Sequence, residues 1–109
     1  MTHTVLIVQG DELARVSSQM VLEAAGFCVE LADNGHEGFR KANELRPDLI
    51  FFDVVSAQAG EWDAVARLKR DTNTSKIPVI VVSMVGERPV EEELEGIGVS
   101  DVLKVPFDP

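Results

Sequence analysis

The sequence has 109 residues, of which 45% are hydrophobic and 27% charged, and its formal net charge is −9. This composition fits one folded domain with a single core and argues against a disordered chain. Because an acidic surface repels phosphate backbones, it also argues against direct nucleic-acid binding by this domain. The single cysteine, Cys28, excludes an internal disulfide, and its place in a strand-like segment predicts a buried side chain.

Cellular location is predicted from the same simple features. The sequence contains no recognisable signal peptide and no apolar segment long enough to span a bilayer. A single cysteine fits a reducing compartment. We therefore expect a cytoplasmic protein without a membrane partner.

Strands and helices alternate from the start of the chain. Residues 4–8 form a continuously apolar strand, and the first helix follows Asp11, its predicted N-cap, and ends at Gly26. Apolar residues recur at helical spacing along this helix: Leu13, Val16, Met20, Val21 and Ala24. Residues 27–32 partly alternate in polarity, which indicates a strand near the edge of a sheet.

The second and third helices are predicted from their caps and apolar spacing. The second runs from about Gly35 to Arg46 and begins with a capping box of Asn34 and Glu37. The third runs from about Glu61 to Arg70. In these two helices we expect the following side chains to face the core: Phe39, Ala42, Leu45, Trp62, Val65, Ala66 and Leu68.

The segment 47–54, with the sequence PDLIFFDV, is the most informative part of the chain. Its four consecutive apolar residues require burial on both faces, which is typical of a central strand in a parallel sheet covered by helices. Asp53 follows at the carboxyl end of that strand, where open α/β sheets place their functional groups. The plainer alternative is that Asp53 only caps the next turn.

The rest of the chain continues the alternation. Residues 78–83 form a second central strand, a helix opens near Pro89 with an acidic outer face, and residues 101–105 form a fifth strand. Strands alternating with helices predict a parallel sheet with right-handed crossovers. A final helix is expected to cover the first and fifth strands but is absent from the sequence, so we interpret residues 1–109 as one domain that is cut out or truncated at its C-terminus.

The chain resembles the receiver domain of bacterial response regulators over all 109 residues. The resemblance rests on four motifs: the apolar strand 5–8, the segment from Pro47 through Asp53, the segment from Lys76 through Ser83, and the segment from Gly98 through Phe107. It implies an α/β fold with a doubly wound, five-stranded parallel sheet, flavodoxin-like in its strand order 2-1-3-4-5. The domain is then a receiver-like module of two-component or phosphorelay signal transduction.

The resemblance also implies roles for individual residues. Asp53 matches the aspartate that accepts a phosphoryl group from a histidine kinase, and Ser83 matches the hydroxyl that contacts this group. Val55 matches the residue whose backbone carbonyl binds Mg²⁺. Such a domain is not an enzyme in the usual sense; at most it catalyses phosphoryl transfer to its own aspartate.

Three family features are missing. Gln9 and Gly10 stand where the family has an acidic pair for Mg²⁺, an ion that prefers carboxylate and other hard oxygen ligands. Asp11 lies one residue further on and reaches the metal site only if the loop shifts. Val105 replaces the family lysine, and because Lys104 is displaced by one residue along a strand, we expect its side chain to point to the opposite face.

The third loss is the aromatic residue of the fifth strand, where Val102 stands. We therefore interpret the domain as a degenerate receiver that acts mainly by protein–protein interaction, with a histidine kinase or another signalling protein as partner. The alternative is a phosphorylation-competent receiver that uses Asp53, with Mg²⁺ held by Asp11, Asp53 and Val55. A homodimer is a further possible assembly. An FMN-binding protein of the same strand order is disfavoured, because the loop after the first strand is acidic and would repel the phosphate of FMN.

Overall fold

The structure is a computed structural model that describes residues 3–53, 61–84 and 101–105, with only the main chain described at 61–63, 83–84 and 101–105. The described strands are β1 (Thr4–Val8), β2 (Cys28–Ala32), β3 (Leu49–Asp53), β4 (Val79–Met84) and β5 (Asp101–Val105). The described helices are α1 (Glu12–Ala24), α2 (Gly35–Leu45) and α3 (Glu61–Arg70). These bounds agree with the sequence prediction to within one or two residues.

The five strands form one parallel sheet in the order β2-β1-β3-β4-β5. The predicted fold class and strand order are confirmed. β2 lies at an edge, as its partly polar pattern indicated, whereas β3 lies at the centre between β1 and β4. Because all strands run in the same direction, their carboxyl ends meet along one edge of the sheet.

One face of the sheet packs against α2 and α3. The buried cluster on this face draws on four strands and both helices: Leu6, Val8, Ala32, Ala42, Ile50, Phe52, Val65, Leu68, Val79 and Val81. Arg67 of α3 lies over the ring of Phe39 of α2, with 4.2 Å between the guanidinium carbon and the ring centroid. This cation–π contact joins the two helices beside the core, where Phe39 packs partly buried against the cluster.

Close packing of α2 on β1 depends on a glycine. A Cβ atom placed on Gly38 would lie 2.7 Å from Cγ2 of Val8 and 3.1 Å from Cγ1. Real Cβ atoms do not approach neighbours so closely, so any side chain at position 38 would push the helix away from the strand. The N-cap of the predicted capping box is confirmed, since the Asn34 side chain accepts a hydrogen bond from the backbone N–H of Glu37 at 2.8 Å. The Glu37 carboxylate accepts hydrogen bonds from Arg40, and the reciprocal half of the box stays a prediction.

The opposite face of the sheet carries α1. A pocket of about 350 Å³ lies between this helix and the strands, lined by Val5, Ser17, Ser18, Val21, Leu22, Leu49 and Phe51. No residue of α1 is buried. The apolar stripe of the helix is open to solvent: Leu13 is 80% exposed, Val21 70% and Met20 66%.

Two burial predictions are wrong. Cys28 is exposed rather than buried, because it is the first residue of β2, an edge strand. Leu45 is 44% exposed at the last position of α2. The fourth helix predicted near Pro89 and the segment after Val105 lie outside the described residues.

Candidate functional site at the carboxyl edge of the sheet

The ends of β1 and β3 bring two polar side chains together. Val8 of β1 is paired with Phe52 of β3, so the next residues, Gln9 and Asp53, lie side by side at the carboxyl edge of the sheet. Gln9 is 8% exposed, and Asp53 is half-buried. The predicted position of Asp53 at the end of a central strand is confirmed.

A hydrogen bond joins these two side chains. The amide nitrogen Nε2 of Gln9 donates to the carboxylate oxygen Oδ2 of Asp53. Hydrogen bonds to an ionised acceptor are stronger than those between neutral groups, and this one is partly shielded from water. Gln9 thus stands at a position where the family has an acidic residue, and its N–H group faces the carboxylate.

The rest of Gln9 is held through its main chain. Its backbone N–H donates to the carbonyl of Ala32 on β2 at 3.0 Å, and its carbonyl accepts a hydrogen bond from Nη1 of Arg15 at 2.9 Å. The amide oxygen of the side chain, Oε1, is buried and has no hydrogen-bond partner among the described residues. A buried polar group without a partner costs about 1–3 kcal/mol in lost hydration, so Oε1 of Gln9 destabilises the folded state locally.

Asp11 caps the N-terminus of α1 at this edge of the sheet. It is the N-cap of α1, and its carboxylate accepts a hydrogen bond from the backbone N–H of Leu13 at 3.0 Å. The side chain is exposed. The cap predicted at Asp11 is confirmed, whereas the alternative role of this residue as a magnesium ligand stays a prediction.

The remaining candidate residues are only partly described. Asp53 is paired with Val82 of β4, so Ser83 follows one residue beyond this partner, and Ser83 is paired with Lys104 of β5. The side chains of Ser83 and Lys104 are outside the described set, and Val55 lies in the segment 54–60, which is also outside it. The roles predicted for Ser83 and Val55, and the orientation predicted for Lys104, stay predictions.

A second, polar pocket adjoins the site on the side of β2. It has a volume of about 430 Å³ and is lined by Arg15, Leu31, Ala32, Asp33, Glu37 and Lys41. The Lys41 ammonium donates to the carbonyl of Leu31, as Arg15 does to that of Gln9, so two cations cap carbonyls at the ends of neighbouring strands. The Arg40 guanidinium, hydrogen-bonded to Glu37, holds the pKa of that carboxyl below its usual value.

Neither a metal-binding cluster nor a membrane-spanning helix is found among the described residues. Within the described part of the chain, no group of three or more His, Cys, Asp or Glu side chains is arranged to hold a metal ion. Among the described helices, none combines the length and apolar character needed to cross a membrane.

Comparison with known proteins places this geometry in context. A family model described as "Response regulator receiver domain" matches residues 5–109. The chain is 32% identical over 106 residues to the DNA-binding dual master transcriptional regulator RpaA of Synechocystis, spanning 95% of this chain and 43% of RpaA. It is 30% identical over 104 residues to protein PilH of Pseudomonas aeruginosa, spanning 95% of this chain and 86% of PilH. The chain thus spans less than half of RpaA and most of PilH.

Solved structures agree with these matches. The chemotaxis response regulator CheY4 of Vibrio cholerae superposes with a TM-score of 0.83 at 25% identity, covering 99% of this chain and 90% of CheY4. The N-terminal domain of a response regulator receiver protein from Methanoculleus marisnigri also gives a TM-score of 0.83 at 25% identity, with coverages of 97% and 86%. The sheet order and the position of Asp53 are therefore set in a fold that these proteins share.

Proposed function

This chain belongs to the response regulator receiver family of two-component signalling, and from that premise we propose that it is a degenerate receiver with a compromised magnesium site that acts mainly by protein–protein interaction. Its partner in this proposal is a histidine kinase or another signalling protein in the cytoplasm. The observation that carries the proposal is the hydrogen bond from the Gln9 amide to Asp53.

The side chains available as metal ligands support the first part of this proposal, that the magnesium site is compromised. Receiver domains generally bind Mg²⁺ for phosphorylation, and Mg²⁺ requires oxygen ligands in near-octahedral geometry. Here the Asp53 carboxylate faces an N–H group of Gln9, the Asp11 carboxylate caps α1, and position 10 is a glycine. The described residues therefore do not fit this ion, and we derive no step through it.

The charge balance of phosphoryl transfer supports the same conclusion. In transfer to an aspartate, a carboxylate oxygen bonds to phosphorus as the donor's leaving group departs, and the acyl phosphate formed carries more negative charge than the carboxylate. Catalysis depends on a metal ion and a cation that neutralise this charge. In this chain, an uncharged amide stands beside Asp53, and Val105 replaces the family lysine. On this proposal Asp53 and Ser83 keep the family positions, while phosphorylation is slow or absent.

The surface of α1 supports the second part of the proposal, that the domain acts mainly by protein–protein interaction. Its exposed apolar side chains include Leu13, Met20 and Val21, and its charged residues are few. Scattered exposed apolar residues are ordinary, but a stripe of them on a helix that buries none of its residues is typical of a protein-contact surface. A receiver that no longer accepts a phosphoryl group is still able to bind its partner through such a surface.

Magnesium titration followed by the fluorescence of Trp62, the single tryptophan, tests the proposal. Trp62 follows the Asp53 loop in the sequence. We expect no change in the wild type up to millimolar Mg²⁺. The double variant Gln9→Glu with Gly10→Asp restores an acidic pair and is expected to gain a saturable change.

The double variant is sterically reasonable. Glutamate has the shape of glutamine, and a Cβ on Gly10 would meet nothing closer than the Asp33 carbonyl at 3.7 Å, an ordinary contact. The matched control is Gln19→Glu, which adds a carboxylate to the α1 surface and leaves positions 9 and 10 unchanged. A saturable magnesium response in the wild type would favour the alternative, a phosphorylation-competent receiver that uses Asp53.

A further inference from the structure

The Gln9 side chain is oriented so that its amide donates to Asp53. This orientation requires an explanation, because a glutamine side chain has three rotatable bonds and therefore many conformations. A long side chain that makes one directed hydrogen bond loses rotational freedom, and its direction must be fixed from one end or the other. At the far end, Oε1 has no partner among the described residues, so the amide is not held by a second hydrogen bond. Apart from packing around this buried side chain, the hydrogen bonds that restrict its direction are those of the main chain.

The main chain of Gln9 is held on two sides. Its N–H group continues the ladder to β2 through the Ala32 carbonyl at 3.0 Å. Its carbonyl group, which lies between the end of β1 and Gly10, accepts a hydrogen bond from the Arg15 guanidinium at 2.9 Å. Gly10 is exposed and has no side chain with which to anchor this peptide, so Arg15 is the described group that fixes the peptide after Gln9.

Arg15 is itself well placed for this task. It lies one turn inside α1, and its own backbone N–H bonds to the Asp11 carbonyl at 2.9 Å, so its base is part of the capped first turn. Its side chain is half-buried beside the polar pocket. A guanidinium donates through a planar, rigid set of N–H groups, which suits it to hold a backbone carbonyl in one orientation.

We propose that Arg15 is a positioning residue: by holding the Gln9 carbonyl, it directs the Gln9 amide to Asp53 and links the first turn of α1 to the aspartate. This inference deepens the proposed function, since it explains how the degenerate site is kept in its arrangement. It also means that a displacement of the first turn of α1 changes the hydrogen bonding of Asp53.

The test is the solvent exchange of the Gln9 side-chain amide, measured by ¹⁵N–¹H NMR on the whole chain in metal-free buffer. The Gln9 signal is identified by its loss in Gln9→Met. The side-chain amide of half-buried Gln19, which donates to the Glu23 carboxylate at 3.4 Å, serves as an internal reference. Arg15→Met is expected to speed Gln9 exchange by about tenfold, the equivalent of losing one charge-assisted hydrogen bond. Arg15→Lys, which still donates to the carbonyl, is expected to restore part of the protection.

Arg40→Met is the matched control, because it removes an arginine that binds Glu37 and Glu44 on the surface of α2. It is expected to leave Gln9 exchange unchanged. If Arg15→Met is folded but Gln9 exchange and the ¹³C shift of the Asp53 carboxyl stay at wild-type values, the positioning role is wrong. Should Arg15→Met fail to fold, Arg15→Gln, whose shorter side chain falls short of the carbonyl, carries the same expectation.

Addition of Mg²⁺ to the wild type separates this inference from the proposed function. If millimolar Mg²⁺ moves the Gln9 and Asp53 signals, the degenerate-site proposal fails, whatever the arginine variants do. If the arginine variants leave Gln9 unchanged while the wild type ignores Mg²⁺, only the positioning role of Arg15 fails.

Discussion

The two faces of the sheet differ in how completely they are covered. On the face of α2 and α3, strand and helix side chains such as Phe52 and Leu68 are fully buried. On the face of α1, no helix residue is buried, and Phe51 borders an open apolar pocket. Both faces are built from similar apolar sequence, so hydrophobic spacing identifies a stripe but does not determine what covers it.

The comparison is tested most strongly by two adjacent phenylalanines of β3. Phe52→Ala is expected to lower the free energy of unfolding by about 3–5 kcal/mol, because it leaves a cavity in a closed cluster. Phe51→Ala removes the same atoms from the half-buried opposite face and is expected to lower it by roughly 1–2 kcal/mol. Urea unfolding measures both; equal losses would contradict the difference between the faces.

The next largest effect is expected at Gly38, where α2 meets β1. Gly38→Ala is expected to destabilise the fold by about 1–3 kcal/mol, since the added methyl overlaps the Val8 side chain. On helix propensity alone the same change would stabilise by about 1 kcal/mol. Ser17→Ala, at an exposed site of α1, is the control and is expected to stabilise slightly. A more stable Gly38→Ala variant in thermal unfolding would show that α2 packs less closely than described.

A small effect is expected on the α1 surface. Met20→Gln is expected to change the unfolding free energy by less than about 0.5 kcal/mol, because the side chain is 66% exposed. The measurement is urea unfolding at two protein concentrations. A loss above about 1.5 kcal/mol that depends on concentration would mean that a second copy covers this stripe.

The smallest expected effect concerns the exposed ion pairs of α2. Arg40 lowers the pKa of Glu37 in the folded state, so the pair adds stability above the ordinary glutamate pKa and loses it as pH falls through the folded value. Glu37→Gln is therefore expected to lower the thermal midpoint slightly at pH 7 and not at pH 3. Because the pair is exposed, about 1 M salt is expected to remove the difference. A difference that persists in salt would contradict a surface pair.

The sequence was sufficient to predict the strands, the order of the sheet and the caps at Asp11 and Asn34. These follow from local rules: continuous apolar segments, alternation of strand and helix, and side chains that bond the first turn. The position of Asp53 at the edge of the sheet followed for the same reason, since it ends the most apolar central strand.

The contact between Gln9 and Asp53 was not predicted, although its ingredients were present. The strand order places β1 beside β3, so the residue after Val8 must lie next to Asp53. The orientation of the Gln9 amide is not encoded locally in the sequence. It depends on the three rotatable bonds of the side chain and, on our proposal, on the hydrogen bond from Arg15. Burial of Cys28 and Leu45 was predicted wrongly for a related reason, because exposure depends on neighbours that are distant in the chain.

The most direct test of the central claim is labelling of Asp53 by acetyl phosphate, in which the carboxylate takes the phosphoryl group and acetate leaves. The wild type, Gln9→Glu with Gly10→Asp, and Asp53→Ala are compared with and without Mg²⁺. We expect no magnesium-dependent label on the wild type and at least about tenfold more on the double variant, a partial gain because Val105 still replaces the family lysine. Rapid magnesium-dependent labelling of the wild type that Asp53→Ala abolishes would contradict the account.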